Sequence, residues 1–311
     1  MYIWFVVGLL FIHFIGGSFS QKTCNVLALS GGGSYGAMQL GILDKVKIEK
    51  YDILTGISIG GANVGVLSYF NYLQDGYRIT DGIELLKQFY FSLKTEDVYS
   101  RQNLLEIINS GSLFKTHFET LFQRFHFDHL EYPSNEVIPK TLIGVLNLNN
   151  FKTEIHEFEK LNKNDQKLLI SASASIPFIF PVTKINETNY NDPGLFQNEI
   201  FKYNNIERNE CSNYSITYIT TANNNISIQD VYNSIYNNNF FTNILSFYTS
   251  LQNKKNFNSY CTNRNIRGKI NYCYADTNQT LNFSKFDFNN GEKLFKLGKD
   301  FAKCEVIDYC H

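Results

Sequence analysis

Residues 52–65 read DILTGISIGGANVG, and that stretch leaves a chain few ways to fold. Ile53-Leu54 has the character of a buried strand end, and Ala62 to Phe70 that of a helix packed on a sheet. Gly56-Ile57-Ser58-Ile59-Gly60 therefore falls on the turn between them and fits G-x-S-x-G, in which a serine stands on a sharp strand-to-helix elbow. Gly56 and Gly60 give the backbone room that a Cβ would close. The helix behind Ser58 offers free amides to a developing negative charge. A glycine-rich turn that happens to carry a serine has the same spelling, so the pentapeptide alone leaves both readings open.

A second glycine turn precedes the first. Residues 25–30 (NVLALS) form a short apolar run expected to be a buried strand. Gly31-Gly32-Gly33-Ser34-Tyr35-Gly36 follows, and then Met38, Ile42, Leu43 and Val46 recur at helical spacing. Two strand–turn–helix units in succession predict parallel strands of an α/β sheet, with both turns at the sheet edge where ligands bind. Gly31, Gly33 and Gly36 also satisfy G-x-G-x-x-G, so dinucleotide binding is an alternative. It is the weaker one, because the acid that should hold a ribose belongs at the end of the second strand. Asp52 precedes Ile53-Leu54 instead, and Gly56 and Ser58 occupy the far end. Consecutive glycines also suit an oxyanion hole, where backbone amides point at a tetrahedral oxyanion with no side chain in the way.

Beyond the elbow, helical patches are expected over Leu85–Val98 and Leu104–Phe125, with surface connections at Gly111-Ser112 and between Asp128 and Pro139. Residues 141–146 predict a strand, Asn149-Asn150 a turn and residues 153–158 the returning strand of a hairpin. A helix over Asp165–Ala174 stops before Pro177, and Ile176 to Val182, punctuated by Pro177 and Pro181, is expected to be extended. Residues 215–220 predict another strand, Asp230–Leu251 an aromatic helix and Gly291–Ala302 a final helix. No repeat or linker divides the chain, so residues 21–311 are expected to form one domain.

Hydrophobic residues at 43% and charged residues at 18% indicate a globular protein, and a formal net charge of -1 gives no argument for nucleic acid as a partner. Residues 1–15 are an apolar run, followed by Gly16-Gly17-Ser18-Phe19-Ser20. A signal peptide over 1–20 is expected, with an uncleaved signal anchor as the alternative because the positive n-region is missing. The protein is then secreted or lumenal in the secretory pathway, or tethered to a membrane. Six cysteines, without a C-x-x-C pair, suit disulfides in such a compartment, and Cys304 and Cys310 lie close enough in sequence to staple the C-terminus. Asn186, Asn213, Asn225, Asn278 and Asn282 stand in sequons that permit glycosylation.

Serine is a weak nucleophile without a base. His13 lies in the apolar leader; His117, His126 and His129 sit in a polar region, His156 in the hairpin and His311 at the end of the chain. None follows a strand with an acid before it, as the order Ser, acid, His requires. The carboxylate that stands out is Asp192 in Asn191-Asp192-Pro193-Gly194, a turn whose proline and glycine fix the backbone; that tetrapeptide is also an ordinary turn.

Taken together, these motifs resemble the patatin-like phospholipase family. The match runs over Leu29 to Gly36 with Gly41-Ile42-Leu43, Asp52 to Asn63, Ser171 to Pro181, Tyr190 to Gly194 with Asn198, and Leu281 to Ser284 with Gly298. The resemblance implies a three-layer α/β fold with a mostly parallel central sheet flanked by helices. It implies a lipid acyl hydrolase of phospholipase A or lipase type, a serine carboxylic-ester hydrolase that works without histidine, cofactor or metal. Ser58 would be the nucleophile, Asp192 its dyad partner, Gly31, Gly32 and Gly33 the oxyanion hole, and Gly56 and Gly60 the elbow. The substrate would be a phospholipid or glycerolipid, met by peripheral contact with a lipid interface. Phe240 to Tyr248 would touch that interface or form a buried helix. Two positions depart from the family: Pro193 replaces a glycine and removes an N–H, and Tyr35 stands where Arg or Lys is frequent. Those departures keep a catalytically inactive secreted lipid-binding protein as the alternative.

Overall fold

The first strand, buried on both faces, already divides the core in two. In β1 (Thr23–Leu29), Leu27 and Leu29 enter one hydrophobic cluster while Val26 and Ala28 enter another, as the two-residue period of a strand requires of a sheet buried on both faces. The protein is represented by a computed structural model that describes residues 22–46, 50–71, 79–132, 134, 138–195, 211, 213–221, 267–276 and 284–308. The leader, Asn198, the aromatic segment 230–251, Cys261, Cys310, His311, Leu281 and the sequons at Asn225, Asn278 and Asn282 lie outside the described residues.

From β1 the chain passes through α1 (Gly36–Val46), β2 (Ile53–Ile57) and α2 (Ile59–Leu67). A helical region follows: α3 (Ile79–Ser92), α4 (Thr95–Val98), β3 (Tyr99–Arg101), α5 (Leu104–Ser110), β4 (Phe114–Thr116) and α6 (Phe118–Arg124), with β3 and β4 paired as a separate small ladder. The hairpin β5 (Lys140–Asn147) and β6 (Lys152–Glu157) leads to α7 (Lys163–Ala174), then β7 (Thr183–Ile185) and β8 (Thr188–Asn191). Strands β9 (Asn213–Ile219) and β10 (Arg267–Ala275), helix α8 (Gly291–Asp300) and strand β11 (Ala302–Asp308) complete the described fold.

The main sheet has the order β11-β10-β9-β1-β2-β5-β8-β7, with β6 also paired to β5. Its five central strands, β10, β9, β1, β2 and β5, are mutually parallel, and antiparallel strands extend it on both sides. This is a mixed α/β fold around a mostly parallel sheet flanked by helices, as expected. No described helix is long and apolar enough to cross a membrane.

Local differences from expectation have physical reasons. Helix α2 starts at Ile59, directly after Ser58, and not at Ala62. Gly60 and Gly61 are poor helix formers in isolation, but a Cβ at Gly60 would stand 2.4 Å from the Leu29 carbonyl oxygen, so strand–helix packing outweighs propensity. Residues 176–180 form a turn and not an extended segment: the Ile179 and Phe180 amides both donate to the Ile176 carbonyl, at 3.1 and 2.9 Å, and Phe178 has φ 65°. Proline restricts the residue before it, which constrains Ile176 and Phe180 and leaves the residues between free to turn. The β7–β8 hairpin was hidden because its two-residue turn, Asn186-Glu187 at φ 43° and 65°, lacks the Asn-Gly spelling that marks such turns. Asn186 of the first sequon is exposed there.

Two disulfides lie among the described residues, Cys24–Cys211 and Cys273–Cys304. Cys304 thus bridges β11 to β10, where register sets it opposite Cys273, and does not staple Cys310.

Candidate active site

Strand β5 aligns the two sequence-predicted reactive residues. On one side, β6 runs beside it through both Gly144 and Leu146. On the other side, Gly144 pairs with Ile57 of β2, and Leu146 pairs with Asn191 of β8. Strand β2 runs parallel to β5 and β8 antiparallel, so β2 and β8 approach each other end to end along the same edge. One residue beyond each strand, Ser58 and Asp192 arrive at the level of Val145.

Ser58 has φ 53° and ψ −132°, a sparsely populated conformation for a residue with a Cβ. Its backbone is held from α7: the Ser58 amide donates to Ser173 Oγ at 2.9 Å, and that hydroxyl donates to the Gly144 carbonyl at 2.8 Å. On the other side of the elbow, the Ser58 carbonyl accepts the first hydrogen bond of α2, from the Ala62 amide at 3.2 Å. Gly56 is as tightly enclosed as Gly60, since a Cβ there would meet the Gly60 carbonyl oxygen at 2.3 Å.

Asp192 is buried, 2% exposed; its Oδ1 accepts the Gly194 amide at 2.7 Å, and the Ser58 hydroxyl lies close enough to the carboxylate to favour its charged form. Its own amide donates to the Ser175 carbonyl at 2.7 Å. Burial pushes the carboxyl pKa up to about 7, against the opposing pull of the Ser58 hydroxyl and the Gly194 amide. Pro193 has no N–H to donate, but the carboxylate's backbone donor is the Gly194 amide, so the substitution does not strip Asp192 of that contact.

The glycine loop lies beside the elbow. Gly33 has φ 56°, and a Cβ on it would strike the Lys285 carbonyl oxygen at 2.2 Å. Among the described residues no acceptor engages the Gly32 or Gly33 amide. The loop is anchored from below: Thr221 Oγ1 donates to the Gly31 carbonyl at 2.7 Å, and Gln39 Nε2 donates to the Ser30 carbonyl at 2.6 Å. A buried chain continues from Gln39 Oε1 to Asn63 Nδ2 at 3.2 Å, and Tyr90 donates to Asn63 Oδ1 at 2.9 Å. Loop and elbow are thereby joined through α1, α2 and α3. Tyr35 is buried, and its ring lies under the Lys285 ammonium, 5.9 Å from Nζ to the ring centroid.

Gly33, Ser58 and Ile59 open onto a cavity of about 130 Å³, roughly tenfold what a single water needs. Its wall is mainly aliphatic and aromatic, including Val66, Leu121, Phe122 and Phe180, and no histidine lines it among the described residues. His126 and His129 are exposed, His117 lies within 3.2 Å of Ser100 Oγ, and His156 lies 3.6 Å from Glu154. Asp52 sits at the start of β2, at the opposite end from Ser58, and accepts the Asn25 amide at 2.8 Å. Among the described residues no cluster of three or more His, Cys, Asp or Glu side chains could hold a metal ion.

Sequence reasoning did not reach the supporting roles of Ser173, Ser175 and Lys285. The run Ser171 to Ser175 was visible, but nothing local distinguishes a clamp from a small-residue helix end.

The patatin-like phospholipase family model matches residues 27–203, more than half of the chain. A viral protein of Invertebrate iridescent virus 6, named probable lipid hydrolase 463L, is 29% identical over 216 residues, covering 65% of this chain and 72% of that protein. The crystal structure of VipD from Legionella pneumophila aligns over 92% of this chain and 68% of its own, at 12% identity and a TM-score of 0.38, a likeness too loose to add to the assignment. On the family match, with the elbow and glycine loop inside the matched span, the chain belongs to the patatin-like phospholipase family.

Proposed function

We propose that the protein is a lipid acyl hydrolase in which Asp192 acts directly on Ser58. One observation carries the reading: a strained serine at the wall of an apolar cavity lies beside a buried carboxylate. Asp192 takes the Ser58 proton as Oγ attacks the acyl carbonyl. The resulting oxyanion is met by the amides of Gly32 and Gly33 and by the Ile59 amide at the start of α2. Collapse expels the alcohol, which receives the proton from Asp192. Water, deprotonated by the same carboxylate, then releases the fatty acid and frees Ser58. A carboxyl poised near neutrality suits both proton transfers, since it is a stronger base than an ordinary aspartate. The family and the name of the viral relative support a lipid as the substrate.

The test is labelling by a fluorophosphonate, which reacts only with an activated serine. Wild-type protein should label and Ser58→Ala should not. Failure of the wild type to label would favour the inactive lipid-binding alternative.

Contact with a lipid interface belongs to the same proposal. Leu104 and Leu105 of α5 are 72% exposed and Phe178 is 76% exposed. The Leu113 amide donates to the Phe178 carbonyl and the Phe114 amide to the Ile179 carbonyl, so this apolar face adjoins Phe180 in the cavity wall. An exposed apolar patch continuous with a lipid site suits a membrane surface. Leu105→Asp combined with Phe178→Asp should lower hydrolysis of vesicle phospholipid roughly tenfold while leaving turnover of a soluble short-chain ester unchanged. Equal loss on both substrates would reject the role.

A further inference from the structure

Lys285 is a cation in a place that does not suit one. Its carbonyl accepts the Ser34 amide at 2.8 Å, Ser34 Oγ donates to the Ser284 carbonyl at 3.1 Å, and Tyr99 donates to the Phe286 carbonyl at 2.8 Å. The segment is thus strapped between the glycine loop and β3. Lys285 is half-buried and lines the same cavity as Gly33 and Ser58.

No carboxylate among the described residues pairs with it. Asp287, on its own segment, is engaged by the Asn289 amide at 3.0 Å and Asn290 Nδ2 at 2.7 Å. Just beyond β8, Asp192 accepts the Gly194 amide and lies beside the Ser58 hydroxyl. From the turn just before α1, Tyr35 presents its ring face, and burial pushes its phenol up to about 12, so it carries no charge at neutral pH. From β3, Tyr99 spends its hydroxyl on Phe286. Desolvation without compensation pushes the lysine pKa down to about 8.

A half-buried cation that faces an apolar cavity without a counter-charge costs stability, and an apolar side chain of similar volume would fill the same space at no such cost. Its placement is better explained by a ligand that brings the negative charge. We propose that Lys285 is an anion-binding residue of the acyl cavity, receiving a negatively charged oxygen of the bound lipid beside the glycine loop. That oxygen is either the oxyanion formed at the acyl carbonyl or a head-group phosphate. The proposal rests on the hydrolase reading for its substrate, but binding can be tested without turnover.

In the binding arm, thermal stabilisation by dodecyl phosphate and by dodecanol is compared in wild-type protein, Lys285→Met and Lys285→Arg. Wild type and the Arg variant should bind the anion at least tenfold more tightly than the alcohol, and the Met variant should lose that preference. In the kinetic arm, kcat/KM is followed from pH 6 to 10 on a soluble neutral ester and on a short-chain phospholipid. The wild type should lose activity as pH rises through about 8, and the Arg variant should move that decline to higher pH. The Met variant should be at least tenfold slower, without the decline. A deficit on both substrates assigns the charge to the oxyanion; a deficit on phospholipid alone assigns it to the phosphate. Undiminished anion preference in a folded Met variant would overturn the proposal while leaving Ser58 labelling, and the hydrolase reading, untouched. If the Met variant does not fold, an Arg variant whose high-pH decline coincides with the wild type's overturns it as well.

Discussion

Asp192→Asn should abolish most turnover and, at pH 8, make the folded protein harder to melt. The amide keeps the geometry: Oδ1 still accepts from Gly194, and Nδ2 takes the position facing Ser58. What it removes is the proposed base, and general-base catalysis contributes about 10²–10⁴-fold. The stability gain follows from the sign of the pKa shift. The folded carboxyl titrates near 7, above its ordinary value of 3.8. Between those values the native state holds a proton that the unfolded chain releases. The contribution to stability is therefore full below the unfolded pKa and is lost as pH rises through about 7. By pH 8 the wild type bears a buried charge costing up to about 4 kcal/mol, which the neutral amide does not. The melting temperature of Asp192→Asn should exceed that of the wild type at pH 8, with a smaller difference at pH 5. Wild-type activity should rise through pH 7 as the base is uncovered. Full activity in the variant would remove the dyad while leaving the nucleophile in place.

Ser58→Ala should lose fluorophosphonate labelling and at least about 10³-fold in kcat/KM, with a melting temperature close to wild type. The strained φ and ψ at this position burden any residue with a Cβ, so alanine inherits the strain. Glycine does not. Ser58→Gly should be equally inactive yet more stable by about 1 kcal/mol or more. Calorimetry of the two variants side by side separates the chemistry of the hydroxyl from the conformation that presents it. Undiminished ester hydrolysis in Ser58→Ala would remove Ser58 from the reaction altogether.

The parts of this fold legible in the sequence are those written locally. Buried parallel strands such as 25–29 and 53–57 are short, mainly apolar runs, and the two turns that follow are spelled in glycine. The position of Asp192 was accessible only as a motif. That it meets Ser58 depends on β8 taking up the edge of β5 where β2 leaves it, a pairing between distant segments with no local signature. The turn at 176–180 escaped because proline rules speak only for the residues they precede. Lys285 escaped because nothing in Ser284-Lys285-Phe286 says that its side chain will face a cavity built from the other end of the chain.

The end of α7 reaches both reactive residues, through the Ser173 hydroxyl at the Ser58 amide and the Ser175 carbonyl at the Asp192 amide. The proposed nucleophile and base therefore share one mechanical reference. A displacement of that helix end carries the two together in common mode, and their separation changes only to second order. In the proposed reaction that separation is the dimension to which proton transfer is most sensitive, and it is held although Asp192 sits on a short turn and Ser58 on a strained one.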